Sequence, residues 1–189
     1  MLEFIPESHA YKLDGQYLPS VTTIIKDMGL YGDVTTYFTD YARERGSLVH
    51  RIIEWYLSGE LDEDTIDPSL APYFAAWKRF QYETGFVSTI TEQPMASEIH
   101  RFAGTPDHIG KFNGSMSVVD VKTGADNPAT GLQLAAYEIL SGWRLRRYSL
   151  QLNDDGKYKL TEFKDRNDRS VFLSALACYQ WKKNNLKKG

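Results

Sequence analysis

Cysteine is almost absent from this 189-residue sequence, in which Cys178 is the only one. A single thiol excludes a disulfide bond within the chain and a metal cluster held by four cysteines of the chain. We therefore expect a protein of a reducing compartment that carries no iron–sulfur cluster.

Long apolar runs are absent as well, since no stretch approaches the roughly twenty apolar residues that cross a bilayer. The first residues, "MLEFIPESH", show neither a charged-then-apolar signal segment nor an arginine-rich transit pattern. The sequence thus predicts a cytoplasmic protein with no membrane partner.

A strong charge of either sign is the third absence, because the formal net charge is −3. A basic excess is the usual sign of a nucleic-acid-binding protein, so the overall charge does not indicate one. Five of the 25 acidic residues, however, lie between Glu60 and Asp67, and the rest of the chain is close to neutral. Clustered bases such as Arg144, Arg146 and Arg147 leave two interpretations open, solvated helix faces or a groove lined with positive charge.

The composition is that of an ordinary globular protein, with 42% hydrophobic and 25% charged residues. It excludes disordered, collagen-like and coiled-coil chains. The length favours one domain over residues 1–189. Within it we expect an N-terminal hairpin and helices over 1–85, a central sheet with one helix over 86–165, and a C-terminal helix over 166–189.

Turn and cap residues predict the elements of the first half. Asp14 and Gly15 lie between two alternating segments, which is typical of a two-residue hairpin. Ser20 is suited to cap the helix that follows, and Gly29 to end it. A second helix is predicted over 36–57, with Gly46 as a point where it breaks in two.

The second half reads as strands and helices in alternation. After a helix that ends at Gly85, three short strands are predicted in "FVSTITEQP", "RFAGTPDHIGKF" and "SMSVVDVKT", the last two joined by a turn at Asn113 and Gly114. "NPATGLQLAAYEILSG" is predicted helical, a hairpin is centred on 153–156, and a last helix covers 169–185. The order predicts an α/β fold with a central mixed β-sheet flanked by helices.

Two aspartates and a lysine form the pattern that carries chemistry. On an extended strand Asp120 and Lys122 point to the same side, and the turn at Asn113 and Gly114 can return Asp107 beside Asp120. Two carboxylates that close repel each other unless a proton or a cation lies between them. Carboxylates with a backbone carbonyl and waters are the ligands that Mg²⁺ and Mn²⁺ prefer, and a nearby ammonium can stabilise charge that develops on a phosphate.

A surface salt bridge between Asp120 and Lys122 on a half-exposed strand is the alternative. The apolar neighbours Val118, Val119 and Val121 favour a strand buried on both faces, where an unpaired charge is costly.

These residues resemble a known family. "GTPD", a short hairpin and "DVK" are similar to the motif of the PD-(D/E)XK nuclease superfamily, whose fold is a restriction-endonuclease-like core. "GSLVHRIIE" and "QLAAY" resemble the G-x-x-x-H-x-x-x-E and Q-x-x-x-Y helices of its RecB-like exonuclease branch. "LPSVTTII" resembles the segment that opens the mitochondrial genome maintenance exonucleases and their phage and bacterial relatives. The resemblance covers 20–137.

The resemblance implies a metal-binding and catalytic set. The implied ligands of Mg²⁺ or Mn²⁺ are His50, Asp107, Asp120 and the carbonyl of Val121, and Lys122 would assist the attacking water. His50 alone, beside an apolar helix stripe, has the alternative of an ordinary core histidine.

Further residues are implied around that set. Glu92 is a candidate further acid near the metal, or else an exposed charge at a strand end. Glu54, on the same helix face as His50, is expected to orient its imidazole. Gln133 and Tyr137 would contact the DNA backbone or position the lysine, or else merely pack at the helix edge.

Three hydroxyl residues complete the expected DNA contacts, namely Ser20, Thr22 and Thr123. A helix N-terminus suits a phosphate, although Ser20 and Thr22 are equally explained as a cap and a first-turn residue. Among the other histidines, His108 is expected to face the opposite side of the strand, and His9 and His100 have no evident partner.

The predicted function is a Mg²⁺- or Mn²⁺-dependent deoxyribonuclease, an exonuclease on single-stranded or frayed DNA ends in replication, recombination or repair, in a bacterial or phage-infected cell. The alternatives are an endonuclease on the same site, a non-catalytic DNA-binding accessory protein, and a structural protein whose acids are incidental. Because the sequence has no G-x-x-x-x-G-K-[ST] motif, unwinding is expected from a helicase or recombination partner.

Overall fold

The computed structural model describes residues 1–32 and 40–186. The strands and helices follow one another as β1 Leu2–Ile5, β2 Ala10–Leu13, β3 Gln16–Leu18, α1 Val21–Asp27, α2 Asp40–Ser58, α3 Ala71–Thr84, β4 Val87–Thr91, β5 Met95–Ser97, β6 Phe102–Gly104, β7 His108–Phe112, β8 Ser115–Lys122, α4 Ala129–Ser141, β9 Arg146–Leu152, β10 Tyr158–Glu162 and α5 Asn167–Asn185.

A five-stranded sheet in the order β10-β9-β8-β7-β4 forms the centre of the fold. β8 and β9 are parallel, with α4 in the connection between them, and the other neighbours are antiparallel. The predicted α/β fold, with a central mixed sheet flanked by helices, is confirmed.

Strand β8 lies in the middle of this sheet and is buried on both faces. Val119 and Val121 belong to the core that α2 and α3 cover, together with Trp77. Val118 belongs to the core under α1, α4 and α5, together with Phe172. A fully buried side chain of this size contributes about 1.5–3 kcal/mol, so both faces hold β8 in place.

The N-terminal segment forms a separate three-stranded sheet, β1-β2-β3. The hairpin predicted at Asp14 and Gly15 joins β2 to β3, and β1 adds a strand that was not predicted from the sequence. Tyr11 and Leu18 pack this sheet on Ala103 of β6. The N-terminal sheet is therefore attached beside the segment that leads to Asp107.

Helix α2 passes through Gly46 without interruption, so the predicted break is wrong. An interior glycine costs a helix only about 1 kcal/mol, and the buried Val49 and Ile53 compensate by packing the helix on the core. The predicted start of this helix near residue 36 lies outside the described residues.

The segment "RFAGTPDHIGKF" is two strands, β6 and β7, where the sequence predicted one. Pro106 lies between them, and proline has no N–H with which to continue a ladder. β6 pairs instead with the short β5. Asp107 is thus the residue immediately before β7, at the end of the central sheet.

Candidate active site

The β7-β8 hairpin brings the two aspartates together. Its register pairs His108 with Val119, so Asp107 and Asp120, the next residues outward, lie side by side. Asn113 and Gly114 both have positive φ, 49° and 76°, as a two-residue hairpin turn requires. The Asp107 carboxylate accepts a hydrogen bond of 2.7 Å from the Val121 N–H, which holds the two strand ends in register.

Asp120 is 1% exposed and lies between a cation and an amide. Its Oδ2 is 2.6 Å from Lys122 Nζ, and its Oδ1 accepts a hydrogen bond of 3.1 Å from Gln133. Burial raises the pKa of Asp120 to about 6, since the nearby Lys122 only partly compensates and Asp107 adds to the rise. The salt bridge between Asp120 and Lys122 is therefore present, but it is buried and does not lie on the surface.

His50 reaches the same place from α2. Its Nδ1 is 2.9 Å from a Glu92 oxygen and 3.8 Å from Asp107, and its Nε2 is 3.1 Å from the Val121 carbonyl oxygen. Burial by itself would lower the pKa of His50, but the carboxylates of Asp107 and then Glu92 raise it to about 9. The imidazole is therefore protonated at neutral pH and donates from both nitrogens.

Glu92 follows the last residue of β4 and turns into the site through a left-handed backbone, with φ 47°. Its N–H donates to the Asp107 carbonyl oxygen at 2.9 Å, so its position is tied to that of the aspartate. One ligand atom each from His50, Glu92 and Asp107 all lie within 4.8 Å of one another. Such a group could hold a metal ion.

The donor set fits a hard divalent cation. Asp120 Oδ2 is buried, and its close partner among the described residues is the Lys122 ammonium at 2.6 Å. A carboxylate oxygen can accept more than one contact, so Oδ2 keeps a lone pair for a cation. The raised pKa of His50 shows that the surrounding carboxylates stabilise positive charge at this point. Carboxylate oxygens with one carbonyl suit Mg²⁺ or Mn²⁺.

Lys122 remains charged in this environment. Burial would lower the pKa of its ammonium, but the Asp120 and Asp107 carboxylates raise it above the ordinary value. Lys122 can therefore stabilise negative charge or orient a water, and it cannot take up a proton at neutral pH.

Gln133 and Tyr137 lie on α4 and are buried, with 8% and 4% of their surfaces exposed. The Gln133 amide donates to Asp120 and to the Tyr137 hydroxyl, each at 3.1 Å. The two residues lie on one helix face, as predicted, and both are buried. Gln133 contacts the second aspartate, and Tyr137 contacts Gln133.

Glu54 does not take the place that the sequence suggested for it. It is exposed on α2, while Glu92 and the Val121 carbonyl contact the two ring nitrogens of His50. Glu54, one helical turn after His50, faces solvent, whereas Glu92, just after the end of β4, lies beside the imidazole. The expectation for Glu54 is therefore corrected in favour of Glu92.

Among the described residues, no hydrogen bond joins the three predicted hydroxyl side chains to the central carboxylates. Ser20 Oγ caps α1 by accepting from the Thr23 N–H at 3.0 Å, and the Thr22 hydroxyl lies 3.1 Å from it. The Thr123 carbonyl accepts a hydrogen bond of 2.9 Å from Arg45. Arg45, which thereby holds the end of β8, was not singled out in the sequence, because no local pattern relates α2 to that strand end.

His108 faces away from the site, as predicted. It is 2% exposed, and its ring lies 4.7 Å from that of Trp77. His9 has a partner that the sequence did not reveal, the hydroxyl of Tyr11 at 3.3 Å. Neither histidine is close enough to the carboxylates to belong to the cation site.

No protein-family model matches the sequence, and neither does any curated protein. Among solved structures, the fold is similar to a protein from Eubacterium rectale that is provisionally described as an exonuclease, with a TM-score of 0.57, 13% identity, and coverage of 90% of this chain and 83% of that chain. It is also similar to LHK-Exo, an alkaline exonuclease from Laribacter hongkongensis, with a TM-score of 0.42, 17% identity, and coverage of 87% and 91%. The second likeness is too distant to support a conclusion. The first shows that the chain shares the α/β fold of the Eubacterium rectale protein.

Among the described residues, no helix is long and apolar enough to cross a membrane.

Proposed function

We propose that this protein is a Mg²⁺- or Mn²⁺-dependent deoxyribonuclease of the RecB-like exonuclease type without an iron–sulfur cluster. One observation carries the proposal. At the end of β8, a buried Asp107 and Asp120 pair lies between a charged Lys122 on one side and His50 with Glu92 on the other.

The cation would be held by His50, Glu92, Asp107, Asp120 and the Val121 carbonyl. When bound there, it supplies polarisation of a phosphate oxygen and a water of lowered pKa. Cation binding requires His50 to give up the proton from the ligating nitrogen, because a ring nitrogen coordinates only without its proton.

The chain's own groups position the reaction. Gln133 holds Asp120 Oδ1, which leaves Oδ2 directed toward Lys122 and the cation site. The Lys122 ammonium would orient the attacking water and stabilise the charge that develops on the phosphate. The hydrogen bond from Val121 to Asp107 keeps the first carboxylate at a constant distance from the second.

The substrate class we infer is DNA with single-stranded or frayed ends, processed in replication, recombination or repair beside a helicase or recombination partner. The description of the Eubacterium rectale protein as an exonuclease agrees with this inference. The roles of Ser20, Thr22 and Thr123 as phosphate contacts belong to the same proposal.

The test is cleavage of end-labelled DNA with Mg²⁺ or Mn²⁺, with EDTA as the metal-free control. Single- and double-stranded substrates blocked at the 5′ or 3′ end give polarity and strand preference. A circular single strand separates the alternatives, since only an endonuclease can cut it.

Matched variants connect the activity to the site. Asp107→Asn and Lys122→Ala are expected to lose cleavage by a factor of about 10³ or more. Asp154→Asn and Lys159→Ala, which make the same charge changes at exposed positions, are expected to cleave like the unmodified chain. Full activity in Asp107→Asn or Lys122→Ala, with folding intact, would refute the mechanism.

A further inference from the structure

A groove of about 880 Å³ lies between the N-terminal sheet and α5, outside the cation site. β2, β3 and the start of α1 form one wall, and the last turns of α5 form the other. Its lining includes Tyr11, Tyr17, Arg101, Tyr179 and Lys183. Among its described lining residues there is no aspartate or glutamate, although the whole chain carries a net charge of −3.

An aromatic ring with a cation beside it is found on each wall. Tyr17 is 68% exposed, and the Lys12 ammonium lies 4.8 Å from its ring centroid. On the other wall, the Lys183 ammonium lies 5.2 Å from the ring of Tyr179. Tyr17 is exposed, whereas Tyr179 is partly buried against the core. An aromatic ring beside a positive charge is the combination by which proteins hold single-stranded nucleic acid, through base stacking and phosphate contact.

Arg101 is a further positively charged residue that lines the groove. Its guanidinium donates a hydrogen bond of 2.7 Å to Gln16, the first residue of β3. The contact uses one guanidinium nitrogen, and the remaining N–H groups are suited to phosphate oxygens.

One wall of the groove contacts the segment that leads to the first aspartate. Tyr11 lines the groove, and its hydroxyl lies 2.8 Å from that of Thr105, two residues before Asp107. A parallel bridge between Ser20 and Ala103 joins the groove wall to β6. The groove wall is therefore packed on the segment that leads to Asp107.

We propose that this groove binds a single strand of nucleic acid, with phosphates on Arg101 and Lys183 and bases stacked on Tyr17 and Tyr179. The inference that this strand is the one cleaved rests on the proposed nuclease function. The inference that a strand binds in the groove does not depend on that function, because binding requires no cleavage.

The first experiment measures binding of a fluorescein-labelled 20-nucleotide oligo(dT) in EDTA, by anisotropy over a series of salt concentrations. Tyr17→Ala is expected to weaken binding about fivefold or more, because stacking is worth about 1–3 kcal/mol per base. Its control is Tyr82→Ala, which removes a tyrosine that is 91% exposed on α3 and is expected to leave binding unchanged.

The double variant Arg101→Gln, Lys183→Gln is expected to reduce the slope of log K against log salt concentration by about 1.4, since each phosphate contact to a single strand contributes about 0.7. Lys159→Gln, at the far edge of the central sheet, is its control. Unchanged affinity and slope in the groove variants would overturn the proposal, and would leave a protein partner as the occupant to test.

A second measurement does not depend on any variant. The unmodified chain is irradiated with an oligonucleotide that contains 5-iodouridine, and the crosslinked peptides are identified by mass spectrometry. Crosslinks at Tyr17 or Tyr179 support the groove, and crosslinks confined to other surfaces contradict it. If oligonucleotides bind here but no metal-dependent cleavage occurs, the proposed function fails while the groove proposal stands. If the chain cleaves DNA and the groove variants bind oligonucleotides normally, the groove proposal fails while the proposed function stands.

Discussion

The imidazole of His50 lies 2.9 Å from the carboxylate of Glu92, with Nδ1 facing Oε1. The two residues are 42 positions apart, one on α2 and the other just after β4. This contact, together with the Val121 carbonyl on Nε2, sets the orientation of the imidazole toward the aspartates.

Glu92 is therefore expected to matter for the cation site, and Glu54 is not. Glu92→Gln should reduce Mn²⁺ affinity or activity by about 10–100-fold, because it removes a charge from the ligand group and a partner from His50. Glu54→Gln, an identical change on the exposed side of α2, is the control and should have little effect. Mn²⁺ titration by calorimetry, with cleavage rates measured in parallel, provides the comparison. Equal losses in the two variants would argue against the site as described.

Gln133 is expected to stabilise the fold as well as the site. Gln133→Ala leaves Asp120 Oδ1 buried without its amide donor, at a cost of about 1–3 kcal/mol in the free energy of unfolding. Gln81, on α3, makes no side-chain hydrogen bond to another described residue, so Gln81→Ala should change stability by less than about 0.5 kcal/mol. Urea unfolding measures both, and similar values for the two would contradict the role assigned to Gln133.

His108 is expected to make stability depend on pH. Burial, with a smaller effect from the nearby His50, lowers the pKa of His108 to about 3 from its ordinary 6.5. Below pH 6.5 the unfolded chain therefore binds a proton that the folded chain excludes. The stabilisation is complete above that pH and is lost as the pH falls toward 3, by at most about 1.4 kcal/mol per pH unit.

The comparison with His108→Gln isolates this effect. The raised pKa of His50 acts in the opposite sense, since its stabilisation is lost as pH rises through about 9, but it is present in both proteins. Unfolding free energies measured between pH 4 and 8 should converge for the two as the pH falls. Parallel curves would show that His108 does not titrate on unfolding.

Gly110 is expected to tolerate no side chain. A Cβ there would collide with the Val87 carbonyl oxygen and approach the Phe86 ring to 2.9 Å, beside the bulge where β4 meets β7. Gly110→Ala should destabilise the fold by about 1–3 kcal/mol or more. Gly124→Ala is the control, because a Cβ at Gly124 meets nothing within 4 Å. Thermal unfolding distinguishes them, and equal melting temperatures would refute the predicted clash.

The pairing of Asp107 with Asp120 could be predicted because it depends on a local hairpin turn. Asn113 and Gly114 set a two-residue turn, and a two-residue turn sets the register of both strands. The strand break at Pro106 could also be predicted, because a residue without an N–H interrupts a strand. The pairing of β6 with β5 could not, because it depends on neighbours that periodicity does not identify.

Local chemistry in the sequence alone determined the turns, the cap of α1 by Ser20, and the side of β8 on which Asp120 and Lys122 lie. Only the tertiary structure decided that Glu92, and not Glu54, contacts His50, and that Gln133 faces Asp120 instead of the surface. Those choices depend on which buried faces pack together across long separations in the chain, and burial is also what shifts the pKa values of these groups. A linear pattern records the period of a helix or strand, whereas the distance between two carboxylates exists only after the elements have packed.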